Sequence, residues 1–191
     1  MRRTGSLIFA AALAVLMLSC QSDLSENAAP VELIVSNTQD LQRIDIAPGA
    51  ENCDQNVGTI TMQAVVKNPN QVAANQEFNR VRITRYRVSY VRTDGGKQVP
   101  APFVRSIDTL LTPGSGSSGL TNFLILEQDA LRQAPFAALL PTNGGRDPET
   151  GRSTVKMDVV VELFGQTLAG ENVSASTRFS LDFCYNCNGC A

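Results

Sequence analysis

Apolar and polar residues alternate most regularly in two stretches late in the chain. Between Asn172 and Phe183, the residues Val173, Ala175, Thr177, Phe179, Leu181 and Phe183 are separated one by one by Ser174, Ser176, Arg178, Ser180 and Asp182. Side chains two residues apart share a face of an extended backbone, so the pattern predicts a strand with one buried and one wet face. From Ser153 to Phe164 the same period puts Val155, Met157, Val159, Val161 and Leu163 on one face, while Val160 and Phe164 make the other partly apolar. A strand apolar on both sides is expected in the middle of a sheet. Between the two, Ala169-Gly170-Glu171-Asn172 reads as a hairpin turn.

The stretch from Val81 to Arg92 changes phase. Val81 and Ile83 set an odd-numbered apolar face, after which Tyr86, Val88 and Tyr90 continue on even numbers. A bulge near Thr84-Arg85 is expected to return them to one side. Asp94-Gly95-Gly96 then supplies a turn. Further strands are expected at Val31 to Ser36, Leu41 to Ile46, Thr59 to Lys67, Phe103 to Leu111 and Leu120 to Leu126. Short strands between turn signals predict a mainly β, antiparallel sandwich. Its one short helix is expected to begin near Glu127 and run through Asp129, Ala130 and Leu131 toward Pro135, with a second turn at Phe136 to Leu140, capping one end of the sandwich. Residues 113–119 (PGSGSSG) and 141–152 (PTNGGRDPETGR) are rich in Gly, Pro and small polar residues and are expected to be mobile loops outside the core. The first lacks the Gly-Lys-Ser/Thr ending of a phosphate-binding loop and leads into a strand.

The start of the chain is an address. Arg2 and Arg3 precede an apolar run from Leu7 to Leu18, followed by Ser19 and Cys20. At about 1.5 Å per residue this run covers roughly 18 Å as a helix, short of the roughly 30 Å of a hydrocarbon core, and so reads as the centre of a secretory signal. Leu16-Met17-Leu18-Ser19-Cys20 resembles the lipobox of bacterial lipoproteins, with Leu18 in a place where a small residue is usual. The resemblance implies that Cys20 is acylated and becomes the mature N-terminus, and that Gln21 after it directs the protein to the outer membrane. Residues 1–19 are then a signal peptide, and 20–30 carry the lipid and a polar tether. Residues 31–191 form a single β-sandwich domain with a Cys-rich tail. The run Thr59 to Asn70 (TITMQAVVKNPN) resembles the water-stress (WHy) domains of late-embryogenesis proteins through Asn68, Pro69 and Asn70. That likeness implies an immunoglobulin-like sandwich.

Composition narrows the function classes. The 191 residues are 43% hydrophobic and 18% charged, enough apolar material for a packed core. Sixteen Lys and Arg against eighteen Asp and Glu give a net charge of -2, which argues against a nucleic acid partner. The absence of histidine removes imidazole-based triads, common zinc hydrolase sites and histidine pH switches together. Asp158 and Glu162 are a carboxylate pair, but they lie at even spacing on one strand with nothing to mark a cleft.

Besides Cys20 there are Cys53, Cys184, Cys187 and Cys190. In an oxidising compartment four cysteines imply two disulfides. The expected arrangement ties Cys53 to one tail cysteine and joins the other two in a small local ring. Cys-x-x-Cys-x-x-Cys with a fourth thiolate could instead ligate a metal, or exchange disulfides. Five arginines, Arg80, Arg82, Arg85, Arg87 and Arg92, crowd one predicted strand. The plain expectation is a solvated face whose arginines pair with nearby acids. The sharper one is an anion-binding row at Arg82, Arg85 and Arg87. The expected function is therefore a lipid-anchored, non-enzymatic protein of the cell outer membrane, facing the periplasm or the surface and needing no cofactor. It would serve as a structural or protein-binding module, or alternatively bind an anionic envelope glycan or lipid through the arginine-rich strand.

Overall fold

The structure, a computed structural model, describes residues 29–37, 42–47, 59–68, 70, 77–121 and 123–187. Eight strands account for 53% of it: β1 (Val31–Asn37), β2 (Gln42–Asp45), β3 (Thr59–Val66), β4 (Val81–Arg92), β5 (Phe103–Leu111), β6 (Ser118–Thr121), β7 (Thr154–Thr167) and β8 (Asn172–Cys184). They form a three-stranded sheet in the order β1-β3-β6 and a five-stranded sheet in the order β2-β8-β7-β4-β5, one of the two curling into a half-barrel.

The alternating stretches become the centre of the larger sheet. β7 pairs antiparallel with β8 from Thr154↔Cys184 to Gln166↔Asn172 and with β4 on its other side. The hairpin between β7 and β8 is closed by Gly170 N–H donating to Thr167 O (2.9 Å) and Thr167 N–H to Glu171 O (2.8 Å). The phase change in β4 is a bulge: the register shifts between Ile83 and Arg85 against both neighbours, and Val81, Ile83, Tyr86, Val88 and Tyr90 are all buried. The same shift leaves Arg82, Thr84, Arg85 and Arg87 on the exposed side. Asn70 N–H donates to Asn68 Oδ1 (3.1 Å), a side-chain-closed turn after β3.

Four expectations are corrected. The ladder is not antiparallel throughout, because β2 runs parallel to β8, Gln42↔Leu181 through Asp45↔Cys184. β1 already travels beside β8 in the same direction, with Asn37 Nδ2 donating to Arg178 O (3.1 Å), and β2 continues that course further along. Second, the strand expected at Leu120 to Leu126 is Ser118–Thr121, paired with β3, so part of the predicted loop joins a ladder. Phe123, Ile125 and Leu126 are buried without a long partner strand, and two tyrosines of β4 meet their carbonyls: Tyr86 Oη donates to Leu124 O (3.2 Å) and Tyr90 Oη to Ile125 O (2.8 Å).

Third, the predicted short helix is a series of 3-10 turns, Gln128–Arg132, Phe136–Leu139 and Pro141–Asn143. The stretch ahead of Pro135 is too short to repay α-helix nucleation. Leu131, Phe136 and Leu139 belong to the core, with the Phe136 ring 4.4 Å from that of Phe183. Fourth, loop 141–152 is not detached, since Asp147 within it is fully buried. One apolar cluster spans both sheets and this irregular segment, joining Leu33 and Met62 to Val161, Phe179 and Phe136.

Candidate functional site

The arginines on the exposed side of β4 differ in what they meet. Arg82 grips Asp108 of β5 with both edges of its fork, Nε–Oδ1 2.8 Å and Nη2–Oδ2 2.7 Å, and this pairing raises the Arg82 pKa and lowers that of Asp108. Arg87 pairs with Glu162, its cross-strand neighbour on β7. Arg80 meets Glu77 at 3.1 Å. Solvated pairs of this kind add little stability, but they satisfy the charge. The structure thus brings Arg82, Arg85 and Arg87 to one face, with two of the three already holding carboxylates. Arg85 pairs with no carboxylate among the described residues. Its guanidinium lies over the Phe164 ring, 5.1 Å from the centroid.

The bulge creates this arrangement. An extra residue in β4 turns Thr84 and Arg85 outward in succession, and the shifted register sets Arg85 directly across from Phe164. The close approach needs Gly165, where a Cβ would lie 2.5 Å from Arg82 O and 2.9 Å from Ile83 Cδ1. Beside the stack opens a cleft of about 520 Å³ whose polar lining comes from Thr84, Arg85, Gln166, Asn172 and Ser174. Gln166 Nε2 donates to Asn172 Oδ1 (2.9 Å), which leaves the Asn172 amide to donate and the Gln166 carbonyl to accept. A second recess of about 400 Å³ shares Val173 and Ser174 and extends to Glu32 and Lys67.

A guanidinium lying on a ring keeps its in-plane N–H edges free, the geometry that receives a planar carboxylate with two parallel hydrogen bonds. The surrounding hydroxyls and amides offer the mixed donors and acceptors that neutral polar groups of a ligand require. Among the described residues no carboxylate lines the cleft beside the hydroxyls of Thr84 and Ser174.

A second polar cluster escapes sequence reasoning. Arg92, its side chain 2% exposed, bonds Asp94 (Nε–Oδ1 2.7 Å, Nη2–Oδ2 2.9 Å), Asp147 (Nη2–Oδ2 2.7 Å) and Gln98 O (3.2 Å). Asp94 also accepts from the N–H of Lys156 (2.9 Å) and of Gly96 (3.1 Å). Burial alone would raise the Asp94 pKa; the bonds from Arg92 and these two amides outweigh it and hold the carboxyl at about 2. Asp147 is lowered in the same way, burial opposing and Arg92 and Thr150 prevailing. Glu149 accepts from the N–H of Lys97 (2.7 Å) and Gln98 (2.8 Å). The cluster consumes its own donors and pins loop 141–152 to the end of β4, a structural role. Asp94 two residues after Arg92 was the available signal, and Asp147 lies too far along the chain to be linked by pattern.

At the tail Cys184 is bonded to Cys187, a local ring between two of the three tail cysteines. Asp45 of β2 braces it, accepting from the N–H of Asn186 (3.0 Å), Cys187 (3.2 Å) and Ala47 (2.9 Å). Cys20, Cys53 and Cys190, and with them the lipidation site and the expected long bridge, lie outside the described residues. Comparison with protein-family models, with curated proteins and with solved structures finds no match to this chain.

Proposed function

We propose that the chain is a lipid-anchored, non-enzymatic binding protein of the outer membrane, held by an acylated Cys20 and a short tether, whose two sheets work as one immunoglobulin-like sandwich. Its ligand is an anionic envelope glycan, taken at the bulge of β4. The sandwich reading is supported by the single apolar cluster that both sheets share. The binding reading rests on one observation: Arg85 is stacked on Phe164 beside a polar cleft with no carboxylate partner among the described residues. The reading therefore narrows from three arginines to one.

Binding of polygalacturonate, against neutral dextran, by the purified chain tests it. Binding to the acidic polymer alone is expected, weakening with salt and falling about tenfold or more in Arg85→Ala, as for loss of a charged hydrogen-bonding group. Arg82→Ala and Arg87→Ala should bind nearly as the parent does. Equal binding by Arg85→Ala would overturn the reading. A protein partner is the second reading, favoured by the exposed Val104 and Leu110 on β5, the outermost strand of its sheet. The irregular register of β5 against β4 disturbs that edge as a template for strand addition, which is why the cleft is preferred.

A further inference from the structure

Three exposed apolar side chains stand at the end where the tether leaves. The chain enters β1 at Pro30, whose carbonyl accepts from Lys67 N–H (2.9 Å), and Val31 and Leu33 share a recess with Val173 and Ser174 at the start of β8. The β7–β8 hairpin is therefore at this end. So is the turn before β4, because Leu168 N–H donates to Arg80 O (2.9 Å) and Ala169 N–H to Phe78 O (3.2 Å). Phe78 is 60% exposed and Leu168 49%, and Leu110, 43% exposed, sits across from Arg82 in the first rungs of β4. A phenylalanine and a leucine held outward on two adjoining turns gain nothing from the fold they belong to.

The length of the tether says what covers them. Only Gln21 to Pro30 separate Cys20 from the first strand. Even fully extended, ten residues reach no more than about 35 Å, so acylation at Cys20 keeps the start of β1 within that distance of the bilayer. We propose that the end bearing Phe78 and Leu168 rests on the membrane that holds Cys20, with both side chains sunk into the headgroup region. The contact fixes an orientation, because a lipid at one point and two apolar turns at others define a plane. This inference rests on the lipid-anchor reading of Cys20.

The chain has no tryptophan, so one introduced residue reports without background. Phe78→Trp, Leu168→Trp and, at the far end of β4, Val91→Trp are to be made in the full lipidated protein. Each is reconstituted on vesicles of phosphatidylethanolamine and phosphatidylglycerol, with and without brominated acyl chains. Emission shifted to shorter wavelength and quenched by bromine at positions 78 and 168, with neither effect at 91, is the expected result. Protein that floats with the vesicles but shows no quenching at 78 and 168, or equal quenching at 91, overturns the orientation and leaves the anchor standing. Protein that does not float, with an unmodified Cys20 by mass, overturns both.

Discussion

At the scale of single residues, the polar groups divide into those spent on the fold and those left over. Arg92 is spent: its guanidinium lies against Gly96, where a Cβ would come within 2.4 Å of the Arg92 Cζ. Gly96→Ala must push the fork off Asp94 and Asp147, both buried. Breaking a buried ion pair from one side costs on the order of 3 kcal/mol, and urea unfolding of the variant should show a loss of that size. A loss below about 1 kcal/mol would mean that Arg92 swings aside freely. Arg85 is left over, and the sequence could nominate it only as one of a row. What separates it from Arg82 and Arg87 is the position of Asp108 and Glu162, which lie 26 and 75 residues from their partners. Pattern reading has no access to pairings over such spans.

Among the elements, those built on strict alternation were legible and those built on irregular apolar runs were not. The phase change at Thr84 announced the bulge because a two-residue period allows no other way to keep Ile83 and Tyr86 inside. By contrast, Phe123 to Leu140 carries buried residues at no fixed period, so its front half resembled a strand and its back half a helix. It is instead a core segment held by tyrosine hydroxyls and ring contacts. Tyr86 meets Phe123 edge-on at 6.0 Å and Phe123 lies 5.9 Å from Phe179. Phe136, fully buried on Phe183, is its largest fully buried side chain. Phe136→Ala should therefore cost about 3–5 kcal/mol in chemical denaturation, as for a core aromatic, where a peripheral cap would lose far less.

For the whole molecule, the buried acids set the response to pH. The Asp94 carboxyl, near 3.8 when free, is held at about 2 in the fold. A depressed carboxylate stabilises the native state above its unfolded pKa, and that contribution fades as pH falls from about 4 toward 2. The Asp94 shift is worth about 2 kcal/mol, and Asp147, lowered in the same direction, adds to it. Urea midpoints measured at about pH 5 and about pH 2.5 should differ accordingly, the acid sample being weaker. Equal midpoints would show that the Arg92 cluster does not hold these carboxylates down.

The parallel pairing of β2 with β8 bears on how the chain reaches this state. Asp45 finds the Asn186 amide 141 residues further on, so neither the short strand nor the ring it braces can be completed while the chain is still emerging. Contacts across so long a loop form late and slowly. Ile44 and Ile46, on and just after β2, are buried in the finished protein, and their burial waits on the same pairing. Burial of this early stretch therefore depends on the arrival of the last strand, and an apolar segment left open in a nascent polypeptide is prone to aggregate.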